Sequence, residues 1–129
     1  MAPSYTLMKL TEVEDSAPKF GMGEVQQARF ANNDLEAART GVSLQRLFPG
    51  RRSPFGHRHE SAEEVYVVLA GSGRVKLDDE IIELGPMDAI RVAPEVMRAF
   101  EAGPEGFEML AFGTRHDGDG EVIQGWWSD

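Results

Sequence analysis

Three side chains with metal-ligand chemistry stand close together in the sequence: His57, His59 and Glu64. Side chains alternate along an extended segment, so the two imidazoles project from the same face. Glu64 opens the most apolar run of the chain, EVYVVLAG, and a short turn through Glu60–Glu63 folds it back beside the histidines. Two imidazoles and a carboxylate suit a borderline divalent ion: iron, manganese, nickel, copper or zinc. Alone, a His-x-His pair reads equally well as two surface or hydrogen-bonded histidines, because two ring nitrogens do not complete a site. Tyr66 shares the parity of Glu64. Its hydroxyl is a candidate acid, base or hydrogen-bond donor, or simply the polar tip of a core-filling ring. His116, in the stretch GTRHDGDG, is a candidate substitute ligand or part of a polar surface loop.

The elements that must position these residues are short strands. Gly41–Phe48, Glu64–Gly71, Ser72–Leu77, Ile81–Leu84, Ala89–Ala93, Met97–Ala102 and Phe107–Gly113 are strand-like runs, with glycine or proline at nearly every junction. Regular spacing of this kind predicts an all-β sandwich or barrel. Glu64–Gly71 is apolar on both faces and is expected to be covered on both sides. Asp78-Asp79-Glu80 reads as the turn of a hairpin. The only helical candidate is Asn33–Arg39, too short to anchor a core. Residues 1–23 read as an irregular lead-in with room for an edge strand at Tyr5–Leu10, and residues 114–129 as a turn-rich tail. Trp126 and Trp127 are expected to dock on the barrel or on a second subunit.

Composition removes whole classes of function. The chain has 129 residues, one domain's worth, with 13 Lys and Arg against 22 Asp and Glu, a net charge of −9. That balance repels a phosphate backbone and an anionic membrane surface, so neither nucleic acid nor membrane is expected as a partner. No cysteine is present, which excludes disulfides, thiolate metal sites and a cysteine nucleophile. No run has the length of a membrane helix and no secretory signal is visible, so a cytoplasmic protein is expected. There is no Gly-rich phosphate loop before a helix and no recognisable nucleophile motif.

The stretch PFGHRHESAEEVYVVLAGSGRVKL resembles the first motif of the cupin superfamily: His-x-His, three or four residues, Glu, six residues, Gly. His57, His59, Glu64 and Gly71 fill it, with Gly50 one residue further upstream than the usual leading glycine. The second motif is matched in kind by GPMDAIRVAPEVMRAFEAG through Gly85, Asp88 and Pro94. Its details depart: no glycine follows Pro94, Arg98 takes the place of the histidine, and no asparagine comes after it. The resemblance spans residues 41–113 and implies a small single-domain, RmlC-like cupin, an all-β, double-stranded β-helix of jelly-roll type. It also implies His57, His59 and Glu64 as metal ligands.

Arginine cannot donate a lone pair, and a guanidinium 4–6 Å from a divalent ion repels it by roughly several kcal/mol. Metal binding is therefore expected to be weakened or lost, or to use three protein ligands and open water positions. Three readings stay open for Arg98: a solvated residue at a strand end, a fork for a ligand carboxylate or phosphate, or an internal partner of Glu64. Phe100 has the parity of Arg98 and is expected as a pocket wall beside it and Tyr66. Two functions follow. One is a metal-dependent protein acting on a small polar metabolite by dioxygenase, isomerase or decarboxylase chemistry. The other is a metal-free, non-catalytic module for a carbohydrate or carboxylate, with Arg98 as its anion anchor. A homodimer is expected from the apolar strand Val65–Leu69 and the tryptophan pair.

Overall fold

A computed structural model describes residues 3–114 and 118–128. Eight strands follow in chain order: β1 (Gln26–Phe30), β2 (Thr40–Leu47), β3 (Phe55–His59), β4 (Glu64–Leu77), β5 (Glu80–Leu84), β6 (Ala89–Val92), β7 (Arg98–Thr114) and β8 (Gly120–Gln124). All pairings are antiparallel, and the strands form one curled sheet in which β1, β2, β7, β3 and β8 are successive neighbours. β4 joins it through β7 and carries β5 and β6 as further partners.

The spine is the long pairing of β4 with β7. Each was expected as two strands broken at glycines, Gly71 in one and Gly103–Gly106 in the other. The glycines instead bend continuous strands. Register shifts fall between Val68 and Ala70 and between Gly71 and Gly73. Gly71 has φ 76°, and a Cβ there would lie 2.1 Å from the Gly106 carbonyl oxygen. Only glycine permits that approach, so the bulge curls the sheet without ending the strand.

Alternation then fills the interior. Tyr66, Val68 and Val75 of β4 face Phe100, Ala102, Phe107, Met109 and Ala111 of β7 in one buried cluster. The other face of β4 is only half covered: Val65 and Val67 are partly buried and Leu69 is exposed. The double coverage expected for Glu64–Gly71 is thus not found, because β4 runs at the outer wall of the barrel. The acidic hairpin is found, with Leu77 paired to Glu80 and Asp78 at φ 51°.

Two expectations are corrected. Asn33–Arg39 forms no helix; it is a turn in which Glu36 takes φ 56°, consistent with a segment too short to repay helix nucleation. Tyr5–Leu10 forms no strand, and the lead-in instead contributes 3-10 turns at Leu10–Glu12 and Ala17–Phe20. The tryptophans, for their part, dock on the barrel of their own chain, the first of the two seats expected for them. Trp127 is buried beneath the guanidinium groups of Arg52 and Arg74, at 4.4 and 5.4 Å from the ring centroid, and Lys76 stands 4.6 Å over Trp126. Gly56 makes room for this seat, since a Cβ there would meet the Trp126 ring at 2.6 Å. Among the described residues no helix is long and apolar enough to cross a membrane.

Candidate metal centre

β3 and the first residue of β4 assemble the site. His57 and His59 project inward from β3, their rings 5.2 Å apart and edge to face. Glu64 pairs across the sheet with Val92 of β6 and Gly113 of β7. Its approach depends on Gly113, where a Cβ would lie 2.4 Å from the Glu63 carbonyl oxygen and 3.2 Å from Glu64 Cγ. One donor atom from each of His57, His59 and Glu64 lies within 4.8 Å of the others. The expected trio is therefore brought together. His116 lies outside the described residues.

Four groups converge on a single atom, Oε1 of Glu64. Nε2 of His57 and Nε2 of His59 each stand at 3.2 Å, Nη2 of Arg98 at 3.4 Å, and the Tyr66 hydroxyl donates to it at 2.5 Å. Burial, the largest single influence, raises the Glu64 carboxyl. The polar contacts of His57, His59 and Tyr66, with the charge of His57, together outweigh it and hold the group well below the usual carboxylate range. Burial and then the charge of Glu64 push the Tyr66 phenol well above its ordinary value, opposed by Arg98. Tyr66 thus holds its proton and serves as a fixed donor to Glu64.

His59 supplies the test of fit. Both its ring nitrogens are buried and neither forms a hydrogen bond, although Nε2 lies 3.2 Å from Glu64 Oε1 and Nδ1 3.4 Å from Asp119 Oδ2. An unpaired buried polar atom costs about 1–3 kcal/mol, and an inward lone pair of this kind is what a metal ligand requires. The donor set of two imidazoles and a carboxylate fits a borderline divalent ion.

Asp119, just before β8, is a contributor that sequence reasoning missed. Its carboxylate accepts the backbone N–H groups of Glu60, Ser61 and Ala62 at 3.0, 2.8 and 2.9 Å. Its Oδ2 also stands 3.4 Å from Nδ1 of His59. One side chain thus fixes the turn that returns Glu64 to β3 and faces the outer nitrogen of a candidate ligand. In sequence the stretch DGDG signals only a turn.

Arg98 takes the third of its three readings. It is fully buried, 0% exposed. Nη1 donates to the carbonyls of Val96, Pro94 and His57 at 2.7, 3.3 and 3.4 Å, and Nε to the Tyr66 hydroxyl at 3.2 Å. Most of its donors are spent on the protein, so it braces the site from behind. Phe100 is likewise no pocket wall. It lies in the core, its ring centroid 4.8 Å from Tyr66 and 6.0 Å from Phe107. In front of the site opens a cavity of about 630 Å³, lined by His57, His59, Glu64 and Tyr66, by the inner residues of β1 and β2, and by part of β7 and β8. Neither Arg98 nor Phe100 lines it.

The sequence matches the family model of the cupin domain over residues 43–113, a stretch that holds His57, His59 and Glu64. The chain belongs to the cupin family. Among solved structures this cupin is similar to a cupin protein from Bacteroides fragilis, 26% identical, covering 90% of this chain and 88% of that one with a TM-score of 0.70. It is also similar to a polyketide cyclase from Streptomyces resistomycificus, at 21% identity, 96% and 87% coverage and a TM-score of 0.75. Oxalate decarboxylase from Bacillus subtilis matches at 19% identity and a TM-score of 0.75, over 96% of this cupin but 32% of that chain. No curated protein matches the sequence. At such identities the latter two likenesses concern the double-stranded β-helix alone.

Proposed function

We propose that this cupin holds a divalent metal through His57, His59 and Glu64 and acts on a small molecule seated in the adjoining cavity. The observation that carries the reading is the convergence of His57, His59 and Glu64 at the cavity wall, with Nε2 of His59 buried 3.2 Å from Glu64 Oε1 without a formed hydrogen bond. A bound ion would supply Lewis acidity to a chelating oxygen, with the positions not taken by the three side chains left open. The chain's own residues do the rest. His57, His59 and Tyr66 keep Glu64 ionised, Arg98 holds the Tyr66 hydroxyl from behind, Asp119 faces His59, and β1 and β2 line the cavity beside them. Dioxygenase, isomerase and decarboxylase chemistry all suit a chelating substrate, and fold does not choose among them. The alternative of a metal-free module anchored by Arg98 finds no support in the geometry, because that guanidinium does not line the cavity.

The test is elemental analysis of tag-free protein purified without added metal or chelator, alongside His57→Ala. Near-stoichiometric iron, manganese, nickel, copper or zinc is expected in the wild type and is lost in the variant, together with metal-dependent thermal stabilisation. Equal metal content in both would remove the assignment. A homodimer belongs to the same proposal but has lost the tryptophan pair as its ground, keeping the exposed Leu69. A mass of 14.2 kDa by light scattering at high micromolar concentration would dismiss it.

A further inference from the structure

The chemistry of the cavity wall narrows the substrate. Among the described residues that line it there is no lysine and no arginine, and the one carboxylate, Glu64, is already committed to the histidines. Away from the metal site, a phosphate or carboxylate entering this space would shed its hydration with no basic side chain among the described lining residues to replace it. Four phenyl rings line the space instead: Phe20 from the lead-in, Phe30 from β1, Phe55 from β3 and Phe112 from β7. Phe55 stands next to the site, its ring centroid 6.2 Å from that of His57.

The polar groups on the β1–β2 wall are neutral. Gln26 is 9% exposed, and its side-chain amide makes no hydrogen bond among the described residues although it faces the cavity. Ser43, also buried, accepts from Nε2 of Gln45 at 3.0 Å. The polar atoms of the Gln26 amide are not sealed off from the cavity, so water or a ligand can meet them there. β1 places Gln26, Ala28 and Phe30 on one face, so the amide and an aromatic ring belong to the same wall.

We infer that the substrate is an uncharged aromatic molecule, stacked among these phenyl rings, with oxygens at one edge toward His57, His59 and Glu64 and a carbonyl or hydroxyl toward Gln26 and Ser43. The inference rests on the proposed metal site for the orientation of the molecule, but not for its chemical class. It disfavours substrates that carry a charged group on the part of the molecule away from the metal site, sugar phosphates among them.

The experiment titrates metal-free protein, stripped with chelator, with three probes: quinizarin, a hexose phosphate and oxalate. Quinizarin is a neutral, flat hydroxyquinone whose absorbance reports binding. It is expected to bind, and the two anions to bind at least tenfold more weakly or not at all. Phe30→Ala, at a half-exposed position where folding is little affected, and Gln26→Leu are each expected to weaken quinizarin binding about tenfold. Failure of quinizarin to bind, tighter binding of either anion, or indifference to both substitutions would overturn the inference. Manganese uptake by the same preparation is measured separately. Metal uptake without quinizarin binding removes the substrate class and leaves the metal site standing, whereas quinizarin binding without metal uptake does the reverse.

Discussion

A buried guanidinium and a divalent ion would compete for the same atom, Oε1 of Glu64, which Arg98 Nη2 approaches to 3.4 Å. At an effective dielectric near 20 the repulsion between them amounts to several kcal/mol. Arg98 therefore stabilises the empty site and opposes the filled one. Arg98→Met is expected to tighten metal binding at least tenfold while lowering stability by on the order of 3 kcal/mol, since the Tyr66 hydroxyl and three carbonyls lose their donor and Glu64 its neighbouring positive charge. Metal titration and urea unfolding of the same variant read the two effects. Unchanged affinity would mean that the guanidinium does not act on the ion. The identity and spacing of His57, His59 and Glu64 were legible because alternation along a strand is local. The orientation of Arg98 was not, because it depends on carbonyls of the turn before β7 and of β3.

Two strands went unforeseen, and each has a physical reason. β1 reads QQARF, without apolar alternation, because its inner face lines a cavity and not the core. β8 reads GEVIQ and is exposed along its length, an edge strand seen only through its pairing with β3. Yet β8 matters to the site, since Asp119 at its start connects the β3–β4 turn to His59. Asp119→Ala is expected to weaken metal affinity by about 10- to 100-fold, as loss of a ligand-orienting carboxylate does in other metal sites. Competition with a chromophoric chelator measures it. Asp119→Asn retains an acceptor oxygen for the turn and should recover part of the loss. If both variants bind metal like the wild type, Asp119 serves only the turn.

For the molecule as a whole, the depressed Glu64 carboxyl links the site to acid stability. Its folded-state value lies below the ordinary 4.5, so the unfolded chain takes up the proton first as pH falls. The contribution of Glu64 is fully present above about 4.5 and drains away as the pH falls from there toward the folded value. Urea midpoints of wild type and Glu64→Gln should accordingly differ most near neutrality and converge in acid. A gap independent of pH would show that Glu64 contributes by packing and not by charge. The barrel class and the grouping of His57, His59 and Glu64 follow from the sequence itself, because strand period and ligand type are properties of neighbouring residues, whereas the glycines were read as strand breaks and not as bends. Only the tertiary structure could decide which residues share a cavity. The wall formed by Gln26 and Phe30, the inward brace of Arg98 and the reach of Asp119 to His59 join segments far apart in the chain, and their juxtaposition depends on how a bent sheet closes.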